Sequence, residues 1–349
     1  MLMSASTPKP APARSVAGAI ALPASTSADL GAARRLADWR PLRSLLARLA
    51  FVGCLPLALL ATENGTTAFP NGGEDFLVAA MPPPGWYAMV YYNHYHADSL
   101  ADGAGQMPLQ SFDLLVNVGA LRLDWVKPVR VFGADRWGTL LFVPVIDLDL
   151  ALSPVPGVSV TGSKRGLGDI TLGNGLHWTF PLFDMVNAFD VVAPVGAYSA
   201  SDPVNPGQNR WVVRLNHMGT WQPAPQWEVS YRLHWDYNFN NPDTDYHSGQ
   251  TLYLNWAAGW KPMPPLTLGL SGYFLRQLTD DRQAGQVVGP GGNRVRVDGL
   301  GPCIRYILPN HAMLIAKYYK EYDVRNHPKG DQFWLYVALP LGPPPPGAH

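Results

Sequence analysis

The sequence predicts a transmembrane antiparallel β-barrel of about 12 strands with an N-terminal plug-like segment. Two observations lead to this all-β fold class. The first is strict alternation of apolar and polar residues over Trp227 to Phe239, with alternating faces again in the second arm, Leu252 to Lys261. Successive side chains of a strand point to opposite faces, so one face of this hairpin is apolar and the other is polar or charged. The second is the length of both arms, which suits tilted membrane strands of roughly nine to eleven residues.

Composition agrees with a barrel and excludes other classes. The 349-residue chain has zero formal net charge and 15% charged residues, so it has no basic surface and no nucleic-acid partner is expected. Aromatic residues reach 11%, with 34 Gly and 34 Pro, which suits many strands joined by many turns. Trp227 and Trp260 at one end of the hairpin, and Tyr237 and Phe239 at the other, are placed for aromatic girdles.

The N-terminal region has the pattern of an export signal. Residues 1–33 form an extension of no clear role, and 34–61 begin with Arg34-Arg35 and end in the apolar run Leu49 to Ala61, the order of a secretory signal peptide. We place the cut after Ala61, and lipidation of Cys54 is the lesser alternative. The protein is therefore expected in the outer membrane of a Gram-negative bacterium. Its expected partners are outer-membrane lipid and the barrel assembly machinery, with the oligomeric state open.

Residues 62–85 are too rich in Pro and Gly for a membrane strand, yet they contain a short apolar piece. We interpret them as a periplasmic leader or as a plug inside the lumen. The carboxylates at the start of the apolar piece favour a short helix and could meet lumen cations such as Arg214 or Arg232. The plug residues singled out are Glu74, Asp75, Phe76, Leu77 and Met81.

Twelve alternating segments follow over residues 86–341, and a Pro-rich tail occupies 342–349. Short connections such as Gln222 to Gln226 alternate with long ones such as Thr279 to Asn293. This alternation predicts short periplasmic turns, long outer loops and both termini on the periplasmic side. The connection Trp125 to Arg136 is long for a periplasmic turn.

Polar residues assigned by parity to the inner face carry both signs of charge, so they either brace a closed lumen or line a solute pathway. The candidate pathway residues are Arg214, Glu228, Arg232, His234, Asp236, Asn255, Arg305 and Lys317. The same parity assigns Asp113, Asp147, Asp149, Asp190 and Glu321 to the lumen.

The segment between the two arms is a candidate outer loop that contains Asn241, Asp243, Thr244, Asp245 and Tyr246. Its acidic spacing resembles the start of a calcium loop, but Tyr246 stands where Gly is required and no closing Glu follows, so turn formation explains it. We expect no metal site, no cofactor and no catalytic residues.

Several motifs resemble the outer-membrane family of proteins "involved in the meta-pathway of phenol degradation". They are Ala68 to Glu74, Met81 to Tyr87, Ala193 to Tyr198, Asn241 to Gly249, Leu300 to Pro302 and Asn326 to Gly330. The resemblance implies a channel for passive uptake of small hydrophobic, aromatic compounds and supplies no catalytic residues. The end departs from the pattern, because a Pro-rich tail follows where a barrel usually closes on a terminal aromatic. A structural or adhesive barrel with a closed lumen is the alternative function, and a barrel enzyme with a Ser-His site at its rim is a more remote one.

Overall fold

The computed structural model of the chain describes residue 63 and residues 67–342. The interpretations of residues 1–33, of the signal peptide and of the tail beyond Gly342 lie outside this part of the chain. Its main sheet is antiparallel throughout and closes on itself, because β1 pairs with β17 on one side and with β2 on the other. Over the described residues, no helix is long and apolar enough to cross a membrane.

The strands are β1 (Gly85–Ala101), β2 (Ser111–Pro128), β3 (Arg136–Ser153), β4 (Val160–Leu167), β5 (Ile170–Phe180), β6 (Phe183–Ala193), β7 (Val212–Ala224), β8 (Trp227–Asn238), β9 (Asn240–Asn241), β10 (Tyr246–His247), β11 (Thr251–Met263), β12 (Leu266–Gln277), β13 (Arg282–Gln283), β14 (Gln286–Val287), β15 (Arg296–Ile307), β16 (Met313–Arg325) and β17 (His327–Pro340).

The barrel wall has twelve strand positions, although thirteen strands build it. Strands β4 and β5 share one position beside β3: β4 pairs with residues 145–152 of β3, and β5 with residues 136–142. The prediction of about 12 strands is confirmed. The short strands β9, β10, β13 and β14 form a separate sheet in the loops.

Connection lengths orient the barrel. Residues 181–182, 225–226 and 264–265 are tight turns at one end, whereas 194–211 and 278–295 are long loops at the other. Short turns mark the periplasmic end and long loops the extracellular end. The long connection after Trp125 shortens to residues 129–135, because β2 continues to Pro128.

The hairpin of β8 and β11 has the predicted alternation. Trp227 lies opposite Trp260, and Arg232 lies opposite Asn255. Every even-numbered residue of β8 is buried, and its odd-numbered residues are more exposed. Its polar face therefore points into the barrel and its aromatic face points to the lipid.

Strands β2 and β3 reverse this pattern, and the parity assignment of Asp113, Asp147 and Asp149 to the lumen is wrong. Phe112 and Leu148 face the interior instead, while Asp149 is exposed and Asp113 forms an exposed pair with His96. Each of these strands has 18 residues, more than a membrane crossing needs. Their outer halves extend beyond the lipid, where carboxylates can point outward into water.

The segment before β1 runs the length of the lumen. Glu63 lies among the extracellular loops, where its carboxylate accepts hydrogen bonds from Thr244 Oγ1 (2.6 Å) and Tyr198 Oη (3.1 Å). Met81 lies at the periplasmic end, where its carbonyl accepts a hydrogen bond from Arg136. Residues 67–81 therefore lie in the lumen and not in a periplasmic leader, and Glu63 lies at the end of the barrel opposite to the periplasmic side on which both termini were expected. We call residues 67–81 the plug.

The short helix expected after Glu74 and Asp75 is also absent from the described plug. Residues 76–79 form a turn, in which Leu77 has a left-handed φ of 57° and its carbonyl accepts a hydrogen bond from Ala80 N. Asp75 Oδ1 accepts the amide of Phe76 directly, at 2.6 Å. The carboxylates meet cations of the wall, as described below.

Candidate functional site

A cavity of about 220 Å³ occupies the extracellular half of the lumen, and we call it the upper chamber. It lies between the top of the plug, strands β1 to β3 and the loop 203–208. Most of its wall is aliphatic or aromatic, since successive inward positions of β2 and β3 are apolar. These positions are Phe112, Leu114, Val116, Val118, Phe142, Pro144, Ile146, Leu148, Leu150 and Leu152.

One side of the upper chamber is polar, and its groups around Glu321 are hydrogen-bonded to one another. The carboxylate of Glu321 accepts hydrogen bonds from Tyr95 Oη (2.9 Å), Tyr273 Oη (2.9 Å) and the Gly330 amide (3.0 Å). Gln332 donates to Tyr273 Oη at 2.8 Å. These groups hydrogen-bond one another, whereas Asn71 Oδ1 and Gln208 Oε1, on two other lining residues, have no hydrogen-bond partner among the described residues. The chamber therefore offers a solute mainly apolar contact and two free polar oxygens.

A folded loop covers the mouth of the upper chamber. Asp169, between β4 and β5, holds this loop by accepting the amides of Gly196 (2.9 Å) and Gln208 (2.8 Å). Burial raises the pKa of the Asp169 carboxyl, against the lowering effect of these two hydrogen bonds. Glycine at 162 permits the close approach, because a Cβ there would lie 2.9 Å from Pro203 Cβ.

A second cavity, of about 60 Å³, lies deeper and shares Phe142 and Thr171 with the upper chamber. Its lining combines aromatic and aliphatic residues with a group of charged side chains, namely Glu74 of the plug, Arg122, Asp190, Arg214 and Arg232. The path inward therefore changes from an apolar chamber to a layer of paired charges.

The charged layer is joined by ion pairs that link β6, β7, β8 and the plug. Arg214 Nε and Nη2 donate to the two carboxylate oxygens of Asp236 at 2.7 and 2.8 Å. Arg232 Nη2 donates to Asp190 Oδ2 at 3.2 Å, and Arg232 Nη1 donates to Glu74. Bidentate and charge-assisted bonds of this kind are the strongest side-chain hydrogen bonds.

Below this layer the lumen is filled by the plug and by further ion pairs. Lys317 Nζ contacts Asp75 Oδ2 at 2.9 Å and the carbonyl of Gly72 at 2.7 Å. Glu228 pairs with Arg305 (2.8 Å) and Lys261 (3.0 Å) near the periplasmic turns.

The backbone of the plug is satisfied by side chains of the wall. The amide of Leu77 donates to Ser230 Oγ at 3.0 Å, and that of Ala79 to Thr220 Oγ1 at 3.1 Å. Gly72 has a φ of +69°, and a Cβ there would lie 2.6 Å from the ring of Tyr319. A segment without its own strand partners is thereby held in one position.

The eight candidate pathway residues all lie on the interior face and are at most 4% exposed. They meet the plug or one another, and none of the eight lines the upper chamber. Their role in solute passage stays a prediction. Among residue 63 and residues 67–342, no group of three or more His, Cys, Asp or Glu side chains could hold a metal ion.

The candidate outer-loop residues take structural positions. Asn241 Oδ1 accepts the amide of Asp243 at 3.0 Å, as in an Asx turn, and Asp245 Oδ1 accepts from Asn240. Tyr246 Oη donates to Asp281 Oδ2 at 2.7 Å, which links this loop to the next. Burial raises the pKa of Tyr246, and Asp281 adds to the effect.

Sequence reasoning missed the upper chamber and the position of Phe69. The available signal for the chamber was the run Leu140 to Leu152, in which both faces are apolar near Phe142. A strand that is apolar on both faces indicates an apolar interior as well as a lipid face. Phe69 stood inside a recognised motif but had no periodic pattern to place it.

A closed twelve-stranded antiparallel barrel, with an N-terminal segment inside its lumen, has the fold of the outer-membrane β-barrels. The particular family follows from the sequence: residues 97–337 match the family described as "Putative MetA-pathway of phenol degradation", and the chain belongs to that family. The resemblance seen in the motifs is confirmed.

The fold is similar to that of solved outer-membrane barrels. The COG4313 outer membrane channel from Pseudomonas putida F1 superposes with a TM-score of 0.67 at 20% identity, over 78% of this chain and 99% of that chain. The CymD monoaromatic hydrocarbon channel gives a TM-score of 0.39 at 10% identity, over 75% and 89% of the two chains. The β domain of the Bordetella autotransporter BrkA gives 0.46 at 11% identity, over 73% and 98%. A comparison with curated proteins finds no match.

Proposed function

We propose that this protein is an outer-membrane channel for passive uptake of small hydrophobic, aromatic compounds. The upper chamber is the observation that carries the proposal. Its volume of about 220 Å³ exceeds the roughly 150 Å³ of an apolar cavity that accepts benzene, so it can hold one single-ring solute. Membership of the family described as "Putative MetA-pathway of phenol degradation" supports this class of solute.

In this proposal, apolar contact with the chamber wall supplies the affinity for the solute. The plug controls whether the solute passes on to the periplasmic end. A ring transferred from water to the aliphatic wall gains about 25 cal/mol for each Å² of apolar surface buried. The charged layer and the plug close the path below, so solute moves on only when the plug shifts. The proposal assigns no catalytic step to any residue.

The test is uptake of labelled toluene at low concentration by cells in which this chain is the sole channel of its type. The double substitution Leu148→Asn and Leu150→Asn places amides in the chamber wall and should reduce the uptake rate severalfold. Asp149→Asn is the matched control, because Asp149 lies between them on β3 but faces outward. Equal uptake by all three proteins would exclude the chamber as the route.

A closed structural barrel is the second candidate, and the filled lower lumen favours it. Lys317, Asp75 and Arg305 are all at most 3% exposed and are paired within the wall and plug. For this function, cells with and without the chain would take up toluene at the same rate, whereas cells without it would show a weakened envelope.

A further inference from the structure

The ring of Phe69, in the plug, is enclosed by four side chains of the barrel wall. The guanidinium carbons of Arg214 and Arg232 lie over the ring, 5.0 and 4.8 Å from its centre. His234 and Tyr253 meet the ring edge-on at 4.6 and 5.9 Å, and they stack on each other at 4.4 Å. We call these four side chains the ring cage. Cations over a ring face and edge-on rings are the contacts that aromatic solutes favour.

The charges of the cage are already compensated. Arg214 is paired with Asp236, and Arg232 with Asp190 and Glu74. The surrounding layer contains three guanidinium groups and four carboxylates, namely Arg122, Arg214, Arg232, Glu74, Asp124, Asp190 and Asp236. A solute carrying a carboxylate would meet an excess of negative charge, so the cage favours an uncharged ring.

Space adjoins the cage on the side of the upper chamber. The cavity of about 60 Å³ is lined by Phe69, Arg214 and Arg232, and it shares Phe142 and Thr171 with the chamber. The two cavities also share Ala68 and Pro70 of the plug, so the upper chamber adjoins the cage at the part of the plug that carries Phe69.

His234 of the cage and Asn255, its neighbour across β8 and β11, have polar atoms without a hydrogen-bond partner among the described residues. Neither ring nitrogen of His234 has a hydrogen-bond partner within residues 63 and 67–342, and the side chain is 1% exposed. The same holds for the amide of Asn255, also 1% exposed, on β11 two residues beyond Tyr253. Unsatisfied buried groups of this kind cost free energy unless a ligand or water meets them, so a hydroxyl on the ring would be accommodated.

We propose that the ring cage is a binding site for an uncharged aromatic ring and that Phe69 occupies it in the resting channel. The proposal rests on the proposed function, because it names the place where a solute from the upper chamber binds next. A solute ring and Phe69 compete for the same contacts, so solute binding and release of the upper plug are one step.

The experiment removes the Phe69 ring from the cage and measures whether an aromatic ligand binds in its place. Phe69→Ala removes the ring, whereas Phe69→Leu removes the aromatic character but retains most of the volume. Binding of 4-fluorophenol to each purified, detergent-solubilised barrel is measured by broadening of its fluorine resonance, with empty micelles as background. We expect binding to Phe69→Ala that is about tenfold tighter than to the wild type or Phe69→Leu.

Competition identifies the chemistry of the site. Phenol should displace the probe from Phe69→Ala, cyclohexanol should do so about tenfold less well, and benzoate should not displace it. Equal displacement by cyclohexanol would show that the cage binds any apolar ring, and it would overturn the proposal. Equal binding of the probe by the wild type and Phe69→Ala would also overturn it. If Phe69→Ala does not assemble, Phe69→Val carries the same comparison.

Binding and uptake are separate readouts. A cage that binds phenol in Phe69→Ala, in a protein that fails the toluene uptake test, would uphold the site and overturn the channel function. Toluene uptake by the protein, without phenol binding in Phe69→Ala, would uphold the channel function and overturn the site.

Discussion

The carboxylate of Glu74 in the plug accepts a hydrogen bond from the guanidinium of Arg232 on β8, halfway along the lumen. Arg122, on the facing part of the wall, lies 3.8 Å from the same carboxylate. Burial alone would raise the pKa of Glu74, but Arg232, Arg122 and Lys317 outweigh it and hold the pKa below its usual value. The plug is thus fastened to the wall by a carboxylate that stays ionised at neutral pH.

Glu74→Gln should loosen the plug. The amide keeps the shape of the side chain but removes the charged acceptor that the plug offers to Arg232, which costs roughly 1.5–3 kcal/mol of docking free energy. Arg232 keeps its pair with Asp190, and Arg122 keeps its pair with Asp124. We expect more frequent opening in planar bilayers and an unchanged barrel. Asp98→Asn, at an exposed position of β1, is the control, and identical traces from both variants would contradict a fastening role.

The contact of Glu74 with Arg232 and Arg122 predicts that docking of the plug, and therefore conductance, depends on pH. A carboxyl whose pKa is lowered in the docked plug stabilises docking above its free pKa, and this stabilisation is lost as the pH falls through the lowered pKa. Conductance should therefore stay constant from neutral to mildly acidic pH and rise only below the usual range of a glutamate carboxyl. Glu74→Gln should lack this step, and its persistence in the variant would assign the acid response to other carboxylates.

The β8 hairpin was predictable because each of its faces meets one kind of environment along its whole length. Trp235 meets lipid and Asp236 meets the polar lumen, so period two appears in the sequence without interference. On β3 the environment of each face changes along the strand. Its interior is apolar at Leu148 and its exterior is polar at Asp149, because the strand has left the membrane at that height. Parity without knowledge of height therefore assigns the wrong face.

The plug was predictable as a segment but not as a path. Its composition separates residues 62–85 from the strands, yet its position depends on partners far along the chain, such as Lys317 with Asp75 and Ser230 with Leu77. Local pattern contains no information about such pairs. The ring cage could not be predicted for the same reason, because Phe69 meets residues of three different strands.

Asp169→Asn should release the loop over the upper chamber. Both carboxylate oxygens accept backbone amides, and an asparagine can accept only one of them, so one amide would face an NH₂ group at a cost of roughly 1–3 kcal/mol. We expect faster hydrogen exchange in residues 194–208 and no change in β17. Unchanged exchange in the loop would mean that other contacts hold it.

The two faces of β11 can be compared at adjacent residues. Leu254 faces lipid between Leu233 and Phe274, and Arg there should cost roughly 2–4 kcal/mol and prevent assembly. Asn255→Asp, on the lumen side opposite Arg232, keeps the size of the side chain and should assemble. The measurement is outer-membrane fractionation with the mobility shift of unheated barrel on a gel. Similar damage from both substitutions would contradict the assignment of the faces.

Deletion of residues 68–81 should leave the barrel closed and open its lumen. The wall does not need the plug for strand pairing, because each barrel strand is hydrogen-bonded to its neighbours around a closed sheet. Water can then solvate Arg232 and Lys317, which lose Glu74 and Asp75. We expect a heat-modifiable barrel with larger and less selective conductance in planar bilayers. A stable deleted barrel with wild-type conductance would show that the plug does not limit the pore, and the gate would have to lie in the loops above it.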